Sequence, residues 1–397
     1  MKTQFDSREP RAREGEGLLT EQVGHYSRWL KRVLRASRAG SAPLPMFDSS
    51  VPEPQQLLAG LIRTAFAEGP PATYLPVFGG GNARLVDAIA TAHGALADQV
   101  LTTTGATSAL ALIYRALAKP GDHVLVERPG FDIFATLAEA SGLVVDSFAR
   151  PAPDFTIDAD AVLAQATPRT RLIVLSDLHN PSGMLLDADT LTALIAGAAK
   201  RGIVVIVDEV YAGYADPALR PSAAFHNGDN ALSVSSLTKL YGLSTLRCGW
   251  ILGSAPLVER IRIVADTVEF GPSKLAHCVA TEVVERPEPF RAYADDILAA
   301  ARPVLERHFA AMRAEGLIAG KLPDFGCIAF PRLVGVEDTL HFAEWLASAH
   351  DVVVTPGEFF GAAGHIRIGF GRSPEMLETA LSRLAAALRA YPLRAAA

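Results

Sequence analysis

Five consecutive aliphatic residues, Ile203 to Val207, run directly into Asp208-Glu209-Val210-Tyr211. A strand with no polar residue in it must be covered on both faces, which is the situation of a central strand in a parallel sheet flanked by helices. Similar short runs recur at Val100 to Thr103, His123 to Glu127, Arg171 to Ser176 and Ala231, Leu232, Val234. Between them apolar residues fall at helical spacing: Leu110, Ile113 and Leu117 before Pro120-Gly121, and Leu191, Leu194, Ile195 and Ala198 before Gly202. This alternation predicts an α/β fold with a mostly parallel sheet.

The strand ends share a feature. Gly105, Phe131, Asn180, Asp208, Tyr211 and Lys239 all lie just past the C-terminal end of an expected strand. In open α/β sheets ligands bind at that edge. Gly105-Ala106-Thr107 opens a helix, whose free N–H groups and positive dipole end suit an anion, although most such turns bind nothing. The richest stretch is Ser233 to Trp250, with Ser236, Thr238, Lys239 and Arg247. A lysine leaving a buried strand is desolvated, which lowers its pKa and makes the amine nucleophilic. The hydroxyls and the arginine suit a phosphate. Taken alone, the stretch could also be a surface loop with a solvated lysine.

With 397 residues, 49% hydrophobic and 20% charged, the chain has material for a large core and more than one domain. A net charge of −6 gives no general nucleic-acid signal. Three scattered cysteines, Cys248, Cys278 and Cys327, form neither a disulfide framework nor a metal cluster, which points to a reducing, cytoplasmic setting. The charged N-terminus lacks an apolar core segment, and no apolar run is long enough for a bilayer. The expected divisions are a mobile tail at 1–17, an N-terminal helical segment of a smaller domain at 18–46, a large domain at 47–285 and the C-terminal part of the small domain at 286–397. Thr20 to Ala39 reads as a basic amphipathic helix with Tyr26 and Leu30 on its apolar face, packing on its own protein or across a dimer. Gly40 to Pro54 reads as a linker. Gly79-Gly80-Gly81 lacks both the dinucleotide spacing and a following Lys-Ser/Thr, and reads as close backbone approach near a pocket or subunit contact.

Four stretches, in order, resemble the class I/II aminotransferases of the fold-type I pyridoxal-phosphate enzymes: Asn180-Pro-Ser-Gly, Asp208-Glu-Val-Tyr211, Ser-Leu-Thr-Lys239-x-Tyr-Gly-Leu with Arg247 eight residues on, and Arg367-Ile-Gly-Phe. The resemblance spans about Phe47 to Leu388. It implies a fold-type I large domain and a smaller α+β domain built from both ends of the chain. It also implies pyridoxal 5′-phosphate as cofactor, an L-amino acid and a 2-oxo acid as substrates, and transfer of the amino group through a Lys239 Schiff base. By the same resemblance Asp208 faces the pyridine nitrogen, Tyr211 and Asn180 bond the phenolic oxygen, and Phe131 stacks on the ring. Gly105, Ala106, Thr107, Ser236, Thr238 and Arg247 surround the phosphate, and Arg367 grips the substrate carboxylate. Tyr74, in a Tyr-Leu-Pro-x-x-Gly stretch, resembles the family segment that reaches the partner's phosphate, implying a homodimer with shared sites.

There are departures and alternatives. The family's glycine near the substrate carboxylate has no clear counterpart in Phe47-Asp-Ser-Ser-Val-Pro-Glu-Pro, and the ring-stacking residue is a phenylalanine. Asp266 to Lys274, where dicarboxylate-specific members supply a second arginine, contains none. The same fold hosts lyases, decarboxylases and cyclising enzymes of secondary metabolism, including capreomycidine-synthase-like proteins, and some transcription regulators. The absence of a DNA-binding segment and the intact Lys239, Asp208 and Arg367 set argue against a regulator. Cis bonds are expected at Arg128-Pro129 and Asn180-Pro181, to aim Phe131 and Asn180.

Overall fold

The computed structural model describes residues 26–37, 43–71, 82–220, 222–269 and 271–391. The expected tail at 1–17, Tyr74 and the triple glycine lie outside the described residues.

The main sheet has seven strands: β1 (Val100–Thr103), β2 (His123–Arg128), β3 (Val144–Ala149), β4 (Thr170–Ser176), β5 (Val204–Asp208), β6 (Ala231–Ser236) and β7 (Gly249–Leu252). Their order is β1-β7-β6-β5-β4-β2-β3, and only β7 runs against its neighbours. The continuous apolar run in β5 is explained by its two faces. Ile206 faces a core shared with Leu110, Ile113, Val258 and Ile261, while Val205 and Val207 face one shared with Leu163, Leu191, Leu194 and Ile195. Edge strand β3 is mostly exposed or half-buried, so its sequence carries no such run, and nothing in the pattern marks it.

Gly105 has φ 85°, and a side chain there would meet the Arg247 guanidinium at 2.7 Å. At Gly249 a Cβ would come within 2.6 Å of the Gly105 carbonyl carbon. These two glycines let β7 and the start of helix Ala106–Leu117 approach closely, and bring Arg247 to that helix end.

A second core gathers Met46, Leu305, Phe309, Phe342, Ile366, Ile368, Leu381 and Leu384 around a small antiparallel sheet of Ile328–Ala329, Ile366–Gly369 and Thr355–Pro356. Leu44–Pro45 pairs in parallel with Val352–Val353, tying an N-terminal segment to the C-terminal part. The long helix Glu288–Ala314 carries Pro289 in its first turn, where a missing N–H is harmless. Helices Ala255–Val268 and Lys274–Glu285 follow β7.

Two expectations need correction. The segment from 43 to 54 is no loose linker: Met46, Phe47, Ser49 and Val51 are buried, and Gly369 N–H donates to Met46 O at 2.7 Å. Its prolines and serines signal irregular backbone, not absent packing. Arg128–Pro129 is cis as expected, but Asn180–Pro181 is not, and the cis peptide nearby is Asp177–Leu178. The Asn180 turn is closed instead by hydrogen bonds from Gly183 N–H to His179 O and from Asn180 N–H to Ser176 Oγ.

Candidate active site

Between the C-terminal edge of the main sheet and the second core lies a cavity of about 310 Å³. Ala106, Thr107, Phe131, Asn180, Asp208, Ser236, Thr238, Lys239, Arg247 and Arg367 line it, so nearly every residue singled out in the sequence converges there. Gly105 stands behind Ala106, and Tyr211 is buried beneath the Lys239 side chain. A larger cavity of about 490 Å³ shares Val210 and Ser236 with it, but its Arg220 and Glu209 are already paired with each other.

Lys239 leaves β6 through a turn whose backbone is pinned by Tyr214, which donates to Lys239 O at 2.8 Å. Its Nζ donates to Ser49 Oγ at 2.9 Å and sits 5.5 Å from the Tyr211 ring centre. Desolvation, then the positive charge of Arg367, lowers its pKa. Asp208 ends β5, and burial pushes its carboxyl up to about 7 against the pull of Lys239. Tyr211 Oη is buried without a hydrogen-bond partner, and desolvation raises its pKa.

Arg247 has a left-handed φ of 47°, which turns it back to donate to Thr104 O at 3.4 Å beside the start of helix Ala106–Leu117. A guanidinium, a helix N-terminus and the Ser236 and Thr238 hydroxyls make a concentrated anion site.

Arg367 is 1% exposed and comes from strand Ile366–Gly369. It donates to Asn180 Oδ1 at 2.9 Å, Tyr26 Oη at 3.1 Å and Phe47 O at 3.2 Å, while its Nε has no partner. The Phe360 ring centre lies 5.0 Å from the guanidinium carbon and that of Tyr26 at 5.6 Å. The sequence reading sets the Phe47 to Pro54 stretch beside the substrate carboxylate only through the family resemblance, names neither Phe47 nor Ser49 as a site residue, and gives Tyr26 no role at the site. Helix Tyr26–Ser37 instead packs on its own chain, with Trp29 buried against Phe359 and Arg32 paired with Glu344. Tyr26 N–H donates to Asp132 at 3.1 Å. Only the apolar face of that helix was legible beforehand.

The model of aminotransferase class I and II matches residues 61–384. The chain belongs to this family. Capreomycidine synthase from Streptomyces vinaceus is 33% identical over 295 residues, covering 72% of this chain and 73% of that protein. Arginine–pyruvate transaminase AruH from Pseudomonas aeruginosa is 31% identical over 302 residues, covering 73% and 74%. A double mutant of Thermus thermophilus aspartate aminotransferase superposes with a TM-score of 0.79 at 22% identity, covering 94% of this chain and 100% of that one, which shows the same fold. As a class I/II aminotransferase the protein is pyridoxal-phosphate-dependent and transfers an amino group from an amino acid to a 2-oxo acid.

The residues present fit that cofactor. Tyr211 Oη is a buried donor with nothing to bond, Asp208 is a buried carboxyl in need of a cation, and the anion site at Arg247 suits a phosphate. No helix among the described residues is long and apolar enough to cross a membrane, and none of their His, Cys, Asp and Glu side chains forms a group that could hold a metal. Cys248, Cys278 and Cys327 are buried, and none of them forms a disulfide.

Proposed function

We propose that this cavity is the transamination site. Lys239 would hold the cofactor, and its amine is the group placed to move the proton at the substrate α-carbon. Asp208 would face the ring nitrogen, Tyr211 and Asn180 would bond the ring oxygen, and Phe131 would cover a ring face. Gly105, Ala106, Thr107, Ser236, Thr238 and Arg247 would take the phosphate. Bound pyridoxal phosphate supplies an electron-accepting ring for the electron pair left on the α-carbon. The observation that carries this reading is the meeting of the Lys239 amine, the buried Asp208 carboxyl and the Arg367 guanidinium, whose Nε lacks a partner, in one cavity. The division into a large part at 47–285 and a small part from 18–46 and 286–397 is supported by the two separate cores around the cavity. A cytoplasmic location suits three cysteines that form no disulfide.

Arg367 takes the substrate α-carboxylate, its Nε offering one of the two parallel N–H groups that a carboxylate accepts. The side chain then meets Tyr26, Leu30, Phe47 and Leu110, with Asp48, paired with Arg372, also on the wall. Aspartate and glutamate gain nothing from such a wall, so neutral, aromatic or basic donors are preferred. A panel of amino donors, scored by the absorbance change from the pyridoxal to the pyridoxamine form, is expected to rank them so. Arg367→Lys loses the bidentate fork and is expected to raise KM for the best donor about tenfold or more. Aspartate as the best donor overturns the side-chain assignment, and an unchanged KM overturns the carboxylate role. Capreomycidine synthase among the relatives favours a second reading, cyclisation or elimination on the same site. Consumption of an amino acid that carries a leaving group on its β-carbon, without any pyridoxamine form, would support it.

We infer from the family resemblance that the site is shared between two chains, with Tyr74, which lies outside the described residues, as the donor to the partner's phosphate. A doubly negative phosphate at a helix start retains acceptor positions, and a phenol is a suitable neutral donor. Inactive Lys239→Ala and impaired Tyr74→Phe chains, mixed under exchange conditions, are then expected to recover activity, since one site of each heterodimer holds both native residues. A monomeric mass at working concentration, or no recovery on mixing, refutes the shared site.

A further inference from the structure

Behind the cavity lies a charged cluster that the proposed chemistry does not use. Glu127 on β2 and Arg150, just past β3, are each 1% exposed, and Arg150 Nη1 donates to Glu127 Oε2 at 2.7 Å. Taking two charges out of water is costly, and a buried pair adds little stability over apolar residues of the same shape. Its geometry points to a use.

The other Glu127 oxygen accepts from both the N–H and the hydroxyl of Ser176, the last residue of β4. Arg150 also donates to Ser176 O at 3.0 Å and to Phe155 O at 2.7 Å. With its own proton committed to Glu127, Ser176 Oγ presents a lone pair that accepts from Asn180 N–H at 2.9 Å. Asn180 Oδ1 in turn accepts from Arg367 at 2.9 Å. A neighbouring link joins the two turns, His179 Nε2 meeting Pro129 O at 2.9 Å. Gly130 packs directly on Glu127, a Cβ there falling 2.7 Å from Glu127 Cγ.

We propose that Glu127, Arg150 and Ser176 are positioning residues that orient Asn180 and, through it, the Arg367 guanidinium. The inference rests on the reading of Arg367 as the carboxylate site. Glu127 fixes the direction of the Ser176 hydroxyl. That hydroxyl fixes the Asn180 backbone, and the Asn180 carbonyl holds one arm of the fork. Burial keeps each group in one arrangement, because no water can replace a lost partner.

The test uses holoenzyme and lactate, a 2-hydroxy acid that offers a carboxylate without an amine. Ser176→Ala removes only the hydroxyl and is expected to weaken lactate binding about fivefold to tenfold, with a matching rise in donor KM and a smaller change in kcat. In an Asn180→Ala background the same substitution is expected to change lactate affinity less than about twofold, since the relay is already cut. A purely structural role would move thermal stability equally in both backgrounds and leave lactate affinity alone. Unchanged affinity in Ser176→Ala, or the full loss repeated in the Asn180→Ala background, overturns the proposal. Should Ser176→Ala fail to fold, Glu127→Gln keeps the shape and is read through the same cycle. Wild-type holoenzyme that does not bind lactate, or binds it equally well as Arg367→Lys, overturns the reading of the carboxylate site itself.

Discussion

Lys239→Ala protein purified with pyridoxal phosphate is expected to be colourless and at least about 10⁴-fold slower in turnover than wild type. Two functions are lost together, the covalent hold on the cofactor and the amine that moves the substrate's α-proton. Lys239 is the only lysine on the cavity wall among the described residues, and its amine is kept nucleophilic by desolvation and by the charge of Arg367. Ser49 Oγ holds it at 2.9 Å, aimed into the cavity rather than toward solvent. Borohydride reduction of the wild-type protein is expected to fix the cofactor on the peptide containing Lys239. A label on another lysine, or yellow Lys239→Ala protein with substantial turnover, overturns the assignment.

Asp208 gives a different pattern, in which activity and stability move in opposite directions. Asp208→Asn is expected to fold and to lose about 10²–10³-fold in kcat, the usual scale when one electrostatic partner is removed. The cofactor-free protein shows the opposite effect. Burial raises the Asp208 pKa from 3.8 to about 7, so between those values the folded chain holds a proton that the unfolded chain has released. The stability contribution is therefore fully present below about pH 4 and is lost as pH rises through about 7. Asparagine removes that dependence. Cofactor-free Asp208→Asn is expected to match wild type near pH 4 and to exceed it above pH 7 by up to about 4 kcal/mol. Denaturant unfolding of both proteins at several pH values measures the difference. Near-normal kcat in Asp208→Asn removes the electrostatic role, and a stability difference that does not grow with pH removes the account of its burial.

Much of this site was legible in the chain, for reasons of local physics. A strand buried on both faces has to be apolar throughout, so β4, β5 and β6 stood out, and the polar residues immediately after them could be placed along one edge. Motif order alone groups Lys239, Asp208, Asn180 and Arg367. The edge strand β3, half in water, had no such signature. The segment from 43 to 54 looked like a linker because proline and serine report irregular backbone and say nothing about burial.

What the sequence alone determined was which residues lie at the sheet edge and what chemistry they carry, since periodicity and strand ends are properties of neighbours in the chain. Only the tertiary structure decided their partners. Ser49 meets Lys239 across 190 residues, Phe47 O meets Arg367 across 320, and Tyr26 meets Arg367 across 341. Glu127, Arg150 and Ser176 come from three strands or strand ends whose adjacency is set by the order in which the sheet assembles. Local pattern specifies which face of an element is buried, but the group waiting on the other side is chosen by packing the whole chain.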